Sequence, residues 1–339
     1  MISEHFRQCR TVPTQLFTGV VLTLNRLYLL IWLAVANQSY GQNVTFDPSL
    51  DMSNQDLREV LELFENYVST KTDIGGFNPF WNAADQRQFE QYDFLEYEFT
   101  PSLYMGFPIN VLNVEAQDDY YTIKAEFATV HGDGSPNVLA VVNFGVRKEH
   151  GQYRLFNMLE VNREEWTCTS VDYIDFYYPP YHQFDSNKAE QLHSFVEDLC
   201  RNFGVEPQPF EYYLADDFDE IQSLRGFDYY LGMGAVEGPR GKSLDDKVYC
   251  GGLGEYYVHE VVHVQIDEHF PNKHFWITEG LATYLGGSRG KSLDWHIRRT
   301  NTFLNEHPEI DLNNMLELSN LDAHTSYHYV LGGLVVQRV

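Results

Sequence analysis

The chain is short of cysteine and of positive charge, and it has a single uncharged apolar run of any length. Its 339 residues include four cysteines, of which Cys168, Cys200 and Cys250 follow the apolar run and Cys9 precedes it. Three cysteines are too few for a disulfide scaffold and show no metal-type spacing. One bridge plus one free thiol would suit an oxidising compartment, and the sequence does not choose the pair. Lys and Arg number 23 against 49 Asp and Glu, a formal charge of −26. The acidic residues are interspersed, as on an ordinary solvated surface. Such a field repels nucleic acid and anionic membranes, which argues against both as partners, and it favours cations. No internal repeat and no low-complexity segment is present.

The apolar run is Leu27 to Ala36. Arg7, Arg10 and Arg26 lie before it, and small residues follow at Ala34, Ala36, Ser39 and Gly41. This is the order of a secretory signal, so residues 1–41 are expected to direct export and the mature chain to be secreted, periplasmic or held at the cell surface. A membrane anchor beginning near Leu16 is the alternative, and Asn25 and Arg26 interrupt it.

What remains is long enough for two cores. In residues 42–170, Ser53 to Asp56 resembles a helix cap, and Leu57, Val60, Leu61, Phe64 and Val68 recur at helical spacing. Strand-like runs follow at Ile109–Glu115, Tyr120–Val130, Asn137–Arg147 and Tyr153–Val161, with glycine-containing turns between the later ones. One helix and a meander imply an α+β unit in which the helix packs in a curved antiparallel sheet. Residues 171–339 change rhythm. The stretch Tyr173–Tyr181 reads as a linker or first strand. Ala189 to Phe203 reads as an amphipathic helix stopped by Gly204, Tyr229–Val236 as a strand, and two further helices are expected from about Glu255 and Phe275. The chain ends at Val339 inside an apolar periodic segment and is read as truncated there.

The chemistry sits in the second half. His259-Glu260-Val261-Val262-His263 places two imidazoles at i and i+4, on one face of a helix, where both can bind one metal ion. Glu260 is offset beside them, within reach of a water on that metal. A third ligand is needed, and two candidates follow. His269 stands six residues after His263, the metzincin spacing, but Ile266 occupies the position where that class needs a glycine to turn the chain. Glu279, 16 residues after His263 and followed by Gly280, can be delivered by a second helix packed closely on the first. Two histidines, a carboxylate and a water make an open catalytic zinc site rather than a closed structural one.

From about residue 185 onward these pieces resemble the gluzincins: His259 to His263, then Glu279-Gly280 with Ala282 and Tyr284, then a later tyrosine segment. The resemblance implies a zincin-like α+β catalytic domain with one Zn²⁺ that hydrolyses peptides or proteins, with Glu260 as general base. It implies that Tyr329, in Tyr329-Val330-Leu331-Gly332, supplies a phenol to the oxyanion, with Tyr327 and His328 as neighbours disputing the role. It implies Thr283 as a hydrogen-bond partner for a ligand histidine. It also implies a peptide-binding edge strand at Gly232–Glu237, with Gly234 and Ala235 against the substrate, although the aminopeptidase Met-Glu-Asn run is missing there. Two other readings stand beside this one: a secreted binding protein whose zincin-like domain no longer cleaves, and a metzincin-type peptidase ligated by His269.

Overall fold

The computed structural model describes residues 44–69, 79–88, 107–234, 238–311 and 326–339. The expected export segment, residues 1–41, lies outside them, as does Ala235. Among the described residues no helix is long and apolar enough to cross a membrane. The fold is α+β.

The stripe Leu57, Val60, Leu61, Phe64 and Val68 forms the buried face of helix α1, Gln55–Ser69. The Asn54 side chain accepts from the Leu57 N–H at its start. This face packs on a sheet of strands β1 (Val44–Phe46), β2 (Ile109–Ala116), β3 (Tyr121–Val130), β4 (Pro136–Glu149) and β5 (Gln152–Phe156), with the Phe64 and Phe144 rings 5.1 Å apart. Strand order follows the chain, and all pairs are antiparallel except β1–β2. Register shifts at Val111/Asn113 and Phe127/Ala128 are bulges, the usual means of bending a strand around a helix. The short helix α2 (Ala83–Gln88) is held to β5 through the Trp81–Leu155 bridge. The expected strand Tyr153–Val161 stops at Phe156, because Leu159–Asn162 turns into helix α3.

The second sheet runs in the order β10-β11-β8-β7-β6, with β6 Thr167–Val171, β7 Ile174–Tyr178, β8 Phe210–Ala215, β10 Arg240–Leu244 and β11 Lys247–Gly251. Its central pairs are parallel and its two edge hairpins antiparallel. Helix α4 (Ser186–Phe203) covers one face, capped by Asp185 and ended by Gly204 in the left-handed conformation that a Cβ would strain. Helix α6 (Val258–Ile266) lies beside it in the same core. The other face turns Tyr213, Tyr249 and Leu244 into the core built by α1 and the first sheet. The second sheet is thus buried on both sides, which its apolar strands β8 and β11 require.

The chain does not divide cleanly at residue 170. That position falls inside β6, and between β8 and β10 the chain returns through helix α5 (Phe218–Leu224) to add strand β9 (Phe227–Tyr230) to β4. The strand expected at Tyr229–Val236 is therefore shorter and belongs to the first sheet. Gly232 and Gly234 follow it in a turn with φ of 94° and 71°. Helices α7 (Phe275–Gly286), α8 (Leu293–Glu306) and α9 (Tyr327–Arg338) complete the described chain. Cys168, Cys200 and Cys250 are all free thiols, the last two buried.

Candidate metal centre

Helix α6 is short and apolar around its histidines. Val258, Val261, Val262 and Ile266 fill the core beneath it, which fixes the direction its remaining face must point. Buried Gln265 ties the helix to the loop before β8: its amide accepts from the Gln208 N–H and donates to the Gln208 carbonyl, both at 2.9 Å. His259 and His263 share one face, with ring centroids 5.2 Å apart.

Glu279 reaches them from α7. Its Oε2 lies 3.4 Å from His259 Nε2 and 3.5 Å from His263 Nε2, and all three ligand atoms fall within 4.8 Å of one another. Zinc–nitrogen and zinc–oxygen bonds of about 2.0–2.1 Å at tetrahedral angles separate neighbouring ligand atoms by roughly 3.3 Å, so the donor set has the dimensions of a zinc site. Among the described residues no other such group of three is found. The competing candidate, His269, sits exposed at the end of a 3₁₀ turn, Asp267–His269, and takes no part.

The ring nitrogens facing away from Glu279 are both engaged. His259 Nδ1 lies 2.6 Å from the Gly287 carbonyl, and His263 Nδ1 lies 3.1 Å from the Asp267 carboxylate. Both partners are acceptors, so each Nδ1 donates to its partner, which leaves each Nε2 turned toward Glu279 on the side a metal would occupy. Lys273 in turn holds Asp267, with Nζ 3.1 Å from the carboxylate and 2.9 Å from its main-chain oxygen. The role expected of Thr283 is thus filled by Asp267 and Gly287. The Thr283 hydroxyl is buried and has no hydrogen-bond partner among the described residues.

The charges of the three residues are coupled. Burial disfavours a charged His263, but the Asp267 and Glu279 carboxylates override it and push its pKa up to about 10. Burial likewise works against an ionised Glu279, and hydrogen bonds from the two histidines bring it down to about 2.

Glu260 is 8 % exposed and points toward β10, where Ser243 Oγ donates to its Oε2 at 3.0 Å. Gly241 on the same strand leaves room for this packing, since a Cβ there would come within 2.9 Å of Glu260 Cγ and clash with Tyr257. Tyr329 faces the centre from α9, its ring 6.2 Å from that of His259. Burial and then the Glu279 and Glu260 charges push its pKa up to about 12, so it stays a proton donor. Tyr327 is instead buried, its hydroxyl without a partner, and His328 packs its ring on Phe275 at 5.3 Å. Of the two residues expected against substrate, Gly234 is among the described residues, and its N–H donates to Asp219 in the turn after β9. The edge strand beside α6 is β10, which the sequence reading had not picked out.

Comparison of the chain with protein-family models, with curated proteins and with solved structures finds no match. Asp267 and Ser243 are functional candidates that sequence reasoning missed. Asp267 had a readable signal, since it stands at i+4 from His263. Ser243 had none, because its place beside Glu260 depends on the β10–β11 hairpin.

Proposed function

We propose that the chain is a zinc-dependent hydrolase that cleaves peptide bonds, with His259, His263 and Glu279 holding one Zn²⁺ and Glu260 acting as general base. The observation that carries this reading is the convergence of those three ligand atoms, with both histidines already oriented through their Nδ1 protons. Bound zinc would supply a Lewis acid that lowers the pKa of water toward ~7 and polarises a carbonyl. Glu260, held by Ser243, takes the proton of the attacking water and later passes it to the leaving amine. The Tyr329 hydroxyl donates to the oxyanion that develops on the substrate carbonyl. Peptide is favoured as substrate because β10 ends its sheet next to α6, and an extended chain can pair along such an edge. Export directed by residues 1–41 belongs to the same proposal.

The test is zinc stoichiometry together with hydrolysis of a peptide library, for the native chain and Glu260→Gln. One zinc per chain is expected in both, with turnover at least about a hundredfold lower in the variant. Zinc-free native protein, or undiminished turnover in Glu260→Gln, rejects the proposal.

A further inference from the structure

Asp85 is the third residue of α2, and the side chain of the preceding Asn82 caps that helix by accepting from the Asp85 N–H at 2.7 Å. An acidic residue at this position often turns back to the main-chain N–H of the cap. Here that N–H donates to the Leu155 carbonyl at 2.8 Å, so the cap leaves the Asp85 carboxylate unused. The side chain is buried instead. Its Oδ2 accepts from the Asn157 N–H at 3.2 Å, and Oδ1 has no partner among the described residues.

What the side chain meets is a cavity of about 200 Å³, where the first half of the chain adjoins the second sheet. The other charged groups of its wall are already matched. Arg163 Nη1 lies 2.8 Å and Lys247 Nζ 3.6 Å from the Glu211 carboxylate, and Glu160 pairs with Arg147. The Arg225 guanidinium donates to Gln222 and lies 4.6 Å from the centre of the Tyr249 ring. Asp85 is the one carboxylate of the wall that makes no ion pair among the described residues. Burial accordingly pushes its pKa from 3.8 up to about 7, helped by the Glu160 charge and opposed by the Asn157 hydrogen bond, Arg147 and Lys247. Such a group is stable inside a protein as the neutral acid or as a carboxylate beside a cation.

We propose that this cavity binds a small primary ammonium ion, with the Asp85 carboxylate as its partner. A metal ion would need several ligand atoms close together, and among the described residues only the His259, His263 and Glu279 group supplies them. An ammonium needs less: Oδ1 accepts from it in a charge-assisted hydrogen bond, and Leu159, Leu244 and Tyr249 give its carbon chain an apolar wall. The volume holds roughly six waters, or one amine with about that many heavy atoms. A simple alkylamine and a free amino acid both present the same group. The site shares no residue with the metal centre and stands whether or not that centre hydrolyses peptides.

The full chain is titrated calorimetrically at about pH 8 with 3-methylbutylamine, with leucine, and with 3-methylbutanol, which matches the amine in shape without its charge. The amine is expected to bind one per chain, at least about tenfold tighter than the alcohol. Whichever of the amine and leucine binds tighter identifies the source. Affinity should fall about tenfold between pH 8 and pH 6, as Asp85 takes up its proton. Asp85→Asn should bring the amine down to the level of the alcohol, whereas Asp56→Asn, at an exposed carboxylate, should change nothing. Ala84 is exposed at the rim of the cavity, so Ala84→Phe narrows the entrance with Asp85 still in place and should also weaken the amine. That variant decides the matter if Asp85→Asn no longer melts cooperatively. Equal binding of amine and alcohol, or amine affinity undiminished in either variant, overturns the proposal. Binding of neither overturns it as well and means that the cavity holds only water.

Discussion

Asp267 lies one helical turn beyond His263, which brings its carboxylate to the imidazole nitrogen that cannot face the metal. Partners of this kind fix tautomer and ring orientation, and their loss typically costs 10–100-fold in metal affinity. Asp267→Asn is therefore expected to weaken zinc binding by about that range in a chelator competition, and Lys273→Met, one contact further out, by less. Unchanged affinity in Asp267→Asn would show that the carboxylate does not orient His263. Thr283 makes the opposite case. Its hydroxyl is buried with no partner among the described residues, so Thr283→Val should leave zinc affinity unchanged and raise stability by ~1 kcal/mol, read as a higher denaturation midpoint. Spacing along a helix made the pairing of His259 with His263, and the place of Asp267 beside them, legible in the sequence. It misled at Thr283, because a position one turn from Glu279 is near the site along the chain while its side chain is directed into the packing around α7.

Glu279 reaches the histidines because α7 is gripped by neighbours on two sides, and in both places the grip is a glycine. A Cβ on Gly280 would collide with the backbone of Gly332 on α9, and one on Gly332 with the Trp276 carbonyl. At the other end of α7, a Cβ on Gly286 would meet the His259 backbone nitrogen. The sequence reading assigned the close approach at Gly280 to the histidine helix. Gly286 makes that approach, while Gly280 sets the distance to the helix that carries Tyr329. Gly332→Ala should thus separate α7 from α9, costing about 1–3 kcal/mol of stability through overpacking and displacing Glu279 and Tyr329 together. The check is a joint one: a normal thermal midpoint would mean that the contact absorbs the methyl, and a normal zinc affinity that the helices part without disturbing the centre. At this scale the amphipathic helices α1 and α4 were readable from their 3.6-residue period. The β10–β11 hairpin was not: Arg240 to Leu244 has no apolar alternation, since its inner face carries Gly241 and Ser243 to make room for Tyr257 and Glu260.

At the scale of the molecule the two sheets share the core that α1 covers, and this was the part least legible beforehand. The order of elements suggested two units in succession. Strand β9 crosses back to β4, however, and Tyr213 of β8 and Tyr249 of β11 face α1's core, while Tyr212 faces the core under α4 and α6. Such long-range pairing leaves no local pattern in the sequence. At the seam a cavity of about 200 Å³ is lined by Asp85 and Asn157 from the first half and by Leu244, Lys247 and Tyr249 from the second sheet. Asp85 is 6 % exposed and accepts one main-chain hydrogen bond, from Asn157. Burial raises its pKa from 3.8 to about 7, outweighing that hydrogen bond. Between those two values the native chain holds a proton that the unfolded chain has released. The stabilising contribution of the protonated carboxyl is complete below the unfolded pKa and is lost as pH rises through about 7. A shift of this size corresponds to at most ~4 kcal/mol. Asp85→Asn removes the titration, so its denaturation midpoint should fall less than that of the native chain between about pH 4 and pH 8, with the two curves parallel above that range. Curves that stay parallel throughout would mean that Asp85 is ionised in the folded protein and that a cation, rather than a proton, balances it at the seam.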